Sequence, residues 1–316
     1  MGWLTDPLGY EFALRALAEV VVMGVSCGAI GAYVVVRRLA FIGDAISHAV
    51  FPGIVVAYLL GASIVLGALV AGVLTALAIG WVARGGRIRE DAAIGIFFAA
   101  AFALGIVIIS TQQTYQGDLS GFLIGNLQGV SVEDLLISGV TATLLLVVLA
   151  ALHKELLMVS FDRTLAAALG YPVYALDLLL LLMLTVTIVV SIQAVGIILV
   201  LAMLITPAAT ARLLVDRFGP MVMLGAVIGA VVGVVGYYLS FHLGTASGAT
   251  IVLLMTAVFL VTFVFSPRHG LLAHRLRHHP EHAASSPVFD PPAGHAHEVR
   301  EADVLASEPG SSTSQR

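Results

Sequence analysis

Residues 37–61 read RRLAFIGDAISHAVFPGIVVAYLLG. Beyond the arginine pair, 39–60 is apolar apart from Asp44, Ser47 and His48, and about 20 such residues carry a helix through a bilayer. An acid and an imidazole thus lie inside a span, where an aspartate costs on the order of 2.5–3.5 kcal/mol on insertion scales. Spaced four residues apart, Asp44 and His48 share one helix face with Cβ atoms roughly 6 Å apart, close enough to hold one ion. A carboxylate with a neutral imidazole suits manganese, iron(II) or zinc. Pro52 has no N–H for the carbonyl of His48. With Gly53 following, a helix break is predicted at this pair, presenting a backbone oxygen beside the two side chains, as broken helices do at ion sites. A structural alternative stands beside this reading, in which Asp44 and His48 pair with each other or cap the break. Two ligands from one helix are too few for tight coordination, so either other spans contribute or a two-fold dimer joins two such pairs.

Outward from this stretch, the same length criterion finds nine candidate spans, at roughly 12–36, 39–60, 62–83, 92–110, 133–152, 171–193, 195–215, 220–240 and 247–266. A single residue separates the second from the third and the sixth from the seventh, so about nine spans, eight to ten, fit the chain. Charge placement sets the orientation. With the N-terminus outside and the C-terminus cytoplasmic, fourteen of the fifteen basic residues face the cytoplasm, and only Arg15 does not. Composition agrees: 59% of the 316 residues are hydrophobic and 11% charged, with a mean hydropathy of +1.04. Soluble domains carry roughly 25% charge, so this chain has too few charges to cover a water-facing surface. The fold class is an all-α polytopic membrane protein, its surface in contact with membrane lipid. A net charge of -4 gives no reason for a nucleic-acid partner. The single cysteine, Cys27, lies in an apolar run and reads as a small buried hydrophobe. The first segment lacks a basic n-region, so the first apolar run is expected to remain in the mature protein.

Two regions follow: a membrane domain over 1–268, and a His/Pro/Ser-rich tail over 269–316 that reads as disordered cytosol. The tail holds seven of the ten histidines, without fixed ligand spacing; buffering or sensing an ion and plain solvated low complexity both remain open. Gly225, Gly229 and Gly233 recur every four residues and lay a flat strip along one helix, against which a neighbour can pack closely. Several motifs are decoys. Gly24, Ser26 and Gly28 fit a nucleophile elbow, but that chemistry needs a strand-to-helix turn rather than mid-helix. His297 and Glu298 begin a zinc-protease pattern that fails at Glu301, and Gly43-Asp44 and Gly117-Asp118 both lack the first glycine of an intramembrane aspartyl protease. The only lysine, Lys154, is flanked by His153 and Glu155, which excludes a Walker ATP site in this chain.

The stretch GDAISHAVFPG resembles the signature of permease subunits of metal-ion ABC importers of the manganese, zinc and iron type. The resemblance continues through DAAIGIFFAAAFALGIVIIS from Asp91, FLIGNLQGVS from Phe122, FDRTLAAALGYPV from Phe161, QAVGIILVLAMLITPAATARLL from Gln193, and SGATIVLL through FSPRHG. It implies a homodimeric permease in the bacterial cytoplasmic membrane. Its partners would be a second copy of itself, a cytoplasmic ABC ATPase and an extracytoplasmic metal-binding protein. Asp44 and His48 match the acid and histidine taken to line the metal path, with the ion (Mn2+, Zn2+ or Fe2+) as cargo and no cofactor. The Pro52 variant is closer to the manganese and iron branch than to the zinc branch. Residues 161–173 would supply the short helix that docks into the ATPase, with Phe161, Asp162, Arg163, Ala167 and Gly170 in it; any amphipathic loop helix would look alike.

Other positions carry less. Asp177 sits about two turns into the sixth span, where it caps or snorkels. Thr206-Pro207 is expected to break the seventh span, with Pro207 as a gate hinge or as an ordinary membrane-helix proline. Residues 111–134 form the longest outside loop and, with the N-terminal segment, would meet the binding protein. Three function classes stand: an ATP-driven metal permease that is not itself an enzyme, a secondary metal transporter driven by an ion gradient, and an intramembrane hydrolase. The second would want several intramembrane acids and finds chiefly Asp44 and Asp177; the third lacks every motif.

Overall fold

The computed structural model describes residues 9–84, 88–111, 125 and 127–266. Among them are twelve α-helices: α1 Glu11–Val36, α2 Ala40–Ala49, α3 Phe51–Leu59, α4 Ile64–Ala83, α5 Glu90–Ser110, α6 Val132–Ala151, α7 His153–Phe161, α8 Arg163–Ala168, α9 Val173–Val195, α10 Ile197–Leu214, α11 Phe218–Leu243 and α12 Ser247–Phe265. With α2 and α3 taken as one span, nine are long and apolar enough to cross a membrane. Each expected span has its counterpart, displaced by a few residues at most. The expected tail, 269–316, lies outside the described residues, as does most of the 111–134 loop.

Helix ends follow local chemistry. At the start of α6, the Ser131 hydroxyl accepts from the Asp134 N–H at 3.1 Å while the Asp134 carboxylate accepts from the Ser131 N–H, a reciprocal cap. The two ambiguous joints both fall at glycines in left-handed territory, Gly61 with φ 63° and Gly196 with φ 83°. The joint between the sixth and seventh spans is therefore Gly196, a little beyond the expected place.

Helix α1 runs through the middle of the bundle between α6, α10 and α11. Its fully buried Ile30 and Tyr33 share the core with the fully buried Met203 and Leu204 of α10. The glycine strip of α11 lies against α1. A methyl group added at Gly28 would lie 2.4 Å from the Gly225 carbonyl oxygen, and one at Gly24 2.6 Å from the Gly229 backbone. The elbow-like glycines of α1 thus serve backbone-to-backbone packing. In contrast, α4, α5, α6 and α12 turn large apolar side chains outward, among them Leu74, Trp81, Val107, Leu144 and Leu253, a surface suited to lipid.

Two expected helix breaks are placed differently. The interruption in 40–59 is at Val50, two residues before Pro52. Val50 keeps right-handed helical angles (φ −76°, ψ −14°), and its N–H points to the Ile46 and His48 carbonyls. The span is kinked rather than unwound, because Pro52 sits in the first turn of α3, where a missing N–H costs little. Gly53 lies inside α3, where it lets α4 approach: a methyl group there would be 2.1 Å from the Gly67 carbonyl oxygen. Pro207 likewise lies inside a continuous α10, buried among its neighbours, with Thr210 donating to the Thr206 carbonyl at 2.7 Å. Packing on all sides holds that helix through its missing hydrogen bond.

Candidate metal centre

Helix α2 is buried on every side but one. Ile42, Gly43, Ala45, Ile46, Ser47 and Ala49 are buried, and beyond Ala40 only Phe41, Asp44 and His48 reach the surface. Their spacing of three and four residues draws a single stripe, which Phe51 at the start of α3 extends. Ser47 turns inward and donates to the Gly43 carbonyl at 2.8 Å, so it takes no part in the stripe.

Within the stripe, His48 Nε2 lies 3.5 Å from Asp44 Oδ1. The imidazole stands edge-on between Phe98 and Phe102 of α5, with ring centroids 5.6 and 5.4 Å away. The aromatic pair fixes the ring on one side and leaves its nitrogen edge toward Asp44. The side chains remain 40% (Asp44) and 28% (His48) exposed on this chain. Among the described residues, no group of three or more His, Cys, Asp or Glu side chains comes together to hold a metal. One chain therefore brings only these two potential donor side chains together, on a face that opens outward. Pro52, a turn further along, is buried and lines an apolar cavity of about 470 Å3 between α3, α4 and α5.

The residues expected to dock the ATPase form a separate region. Phe161 ends α7, and Asp162 caps α8 by accepting from the Leu165 N–H at 2.9 Å. Gly170 turns the chain at φ 84°, and Ala167 is exposed, as is every residue of 161–170 except Ala166. Phe161, Leu165 and Leu169 recur every four residues and leave an apolar edge uncovered. Behind α8, Arg163 reaches Asp177 at 3.3 Å, and Asp177 also binds Arg37 at 2.5 Å. Asp177 is thus bridged between two arginines, where snorkelling or capping was expected.

Sequence reasoning passed over one acid. Glu19 lies in the first half of α1, fully buried, accepting a hydrogen bond from Ser138 of α6 at 2.6 Å; among the described residues its other oxygen has no hydrogen-bond partner. The signal was present in the sequence, a lone Glu in the run ALAEVVVMG, by the same cost argument that singled out Asp44.

Comparison with known proteins bears on this arrangement. Residues 9–266 match the model of the ABC 3 transport family. The manganese transport system membrane protein MntC of Halalkalibacterium halodurans is 44% identical over 270 residues, covering 85% of this chain and 92% of that protein. The chelated iron transport system membrane protein YfeC of Yersinia pestis is 39% identical over 274 residues, covering 87% and 93%. Among solved structures, PsaBC from Streptococcus pneumoniae in complex with Fab matches with a TM-score of 0.75 at 36% identity, over 86% of this chain and 98% of that one.

Proposed function

The chain belongs to the ABC 3 transport family, and from that membership we propose that it is the permease subunit of an ATP-driven importer of divalent transition metal ions, with manganese ahead of iron and zinc. It is a multi-pass protein of the bacterial inner membrane and a transport component rather than an enzyme. The proposed assembly is a homodimer with a cytoplasmic ABC ATPase on the α8 side and an extracytoplasmic metal-binding protein on the other.

The observation that supports it is the open stripe of α2. A carboxylate 40% exposed within a membrane span cannot be left against lipid tails without a partner. A second copy facing it across a two-fold axis covers both stripes and brings two aspartates and two histidines together, a donor set that suits manganese or iron(II). The names of the MntC and YfeC relatives favour manganese and iron, and nothing in the relatives' names favours a gradient-driven transporter. The one-sided placement of basic residues supports a C-terminus in the cytoplasm; a reporter fused after Pro267 would then be active only in its cytosolic form.

The test is uptake of Mn2+, Fe2+ and Zn2+ measured in parallel. Asp44→Ala and His48→Ala are each expected to abolish uptake while the protein still inserts and dimerises. Uptake that survives replacing both residues by apolar ones would show the pair to be structural.

A further inference from the structure

One guanidinium joins the stripe-bearing region to the docking loop. Arg37 closes α1, and its side chain is only 5% exposed. Its Nε donates to the Ser160 hydroxyl at 2.8 Å, in the last turn of α7, and its Nη1 to Asp177 at 2.5 Å, in α9. The second oxygen of Asp177 takes Arg163, the first residue of α8, at 3.3 Å. On its other side Arg37 adjoins Arg38, which holds a left-handed backbone (φ 60°) and turns the chain into α2. Asp44 follows within that helix.

Resting on the metal-permease reading above, we infer that Asp177 is a positioning residue for energy coupling, tying the docking helix α8 to the α1–α2 turn that carries the metal-site helix. The Arg37–Asp177 bond is short and charge-assisted, and Arg163 lies within ion-pair distance of the same carboxylate at 3.3 Å. Breaking the first of these where Arg37 is buried leaves a charge without its partner, which is strongly unfavourable. The pieces therefore move together. A displacement of α8 by an ATPase pulls on Asp177 and Arg37, and through them on the turn from which α2 starts. Apolar contacts alone would let the short α8 slide. Asp177 touches neither ion nor nucleotide, so its effect is on the yield of transport per ATP.

The experiment uses the complete complex of permease, ATPase and binding protein in proteoliposomes, with Mn2+ as cargo, and reads Mn2+ uptake and ATP hydrolysis together. Asp177→Asn keeps the shape and removes the charge. It is expected to leave ATPase co-purification intact and hydrolysis largely retained, while Mn2+ moved per ATP falls about tenfold or more, the scale of one lost charge-assisted hydrogen bond. Asp177→Glu should restore most of that ratio. If Asp177→Asn does not yield folded dimer, Arg37→Lys, which keeps the charge but loses the two-armed fork, carries the same expectation. An unchanged ratio of Mn2+ to ATP overturns the inference. So does a proportionate fall of both rates with a lower melting temperature, which marks a merely structural bridge. A parent complex in which ATP drives no metal uptake overturns the proposed function itself, and this inference with it.

Discussion

The seam between α1 and α11 and the outer stripe of α2 are opposite solutions to life in a membrane. At the seam, facing glycines let backbones meet so closely that a methyl group at Gly28 would fall 2.4 Å from the Gly225 carbonyl oxygen. At the stripe, an acid and an imidazole are presented outward, 40% and 28% exposed, with the imidazole flanked on one side by Phe98 and Phe102. The seam spends its surface on stability. The stripe turns its polar groups away from the core, where the proposed second copy would meet them. Stability and chemistry are thereby separated, so changes at one region should leave the other's property largely alone.

The largest expected effect is at the seam. A methyl group at Gly28 would lie 2.4 Å from the Gly225 carbonyl oxygen, so Gly28→Leu must push α1 and α11 apart, costing about 3 kcal/mol or more. Thermal unfolding in detergent should show a large drop in melting temperature. Gly95→Leu, with nothing within 4 Å of an added methyl group, is the control that should not move. If the two behave alike, close packing is not what holds the seam.

Next comes the buried bridge between α1 and α6. Ser138→Ala removes the donor to Glu19 and should cost about 1–3 kcal/mol, because a buried acid loses its partner. Replacing both, as Glu19→Leu with Ser138→Ala, should recover much of the loss. A double variant that melts below Ser138→Ala would give Glu19 a stabilising role beyond this pair.

Tyr33→Phe is milder. It deletes the bond from the tyrosine hydroxyl to His153 Nδ1 at 2.7 Å and should cost about 0.5–1.5 kcal/mol. The Phe218 ring against both side chains keeps the packing. Smallest of all in stability is the stripe. Asp44→Leu combined with His48→Leu should leave melting within about 0.5 kcal/mol of the parent, because both side chains are partly exposed and leucine keeps an apolar contact with Phe98 and Phe102. A stripe as costly to replace as the seam would erase the contrast.

Most of the fold was legible because lipid imposes one simple rule, long apolar helices with charges at their ends. That rule placed all nine spans and marked the Gly225–Gly229–Gly233 strip as a packing face. It failed where a local signal depended on distant partners. Pro207 reads as a break in isolation, yet α10 continues because its neighbours support it. Pro52 reads as a mid-helix break, whereas the kink at Val50 places it in a first turn. Asp44 and His48 were legible as a pair because four residues separate them on one helix. Asp177 and Glu19 were not legible as bridges, because their partners Arg37 and Ser138 lie more than a hundred residues away in the chain.

The central claim is that Asp44 and His48 hold the transported ion between two copies of the chain. Mn2+ bound to the purified, detergent-solubilised permease measures this directly, without ATPase or binding protein. The account predicts saturable binding with fewer ions than chains, lost in both Asp44→Ala and His48→Ala while the dimer persists. Undiminished Mn2+ binding in a variant lacking both side chains would contradict it.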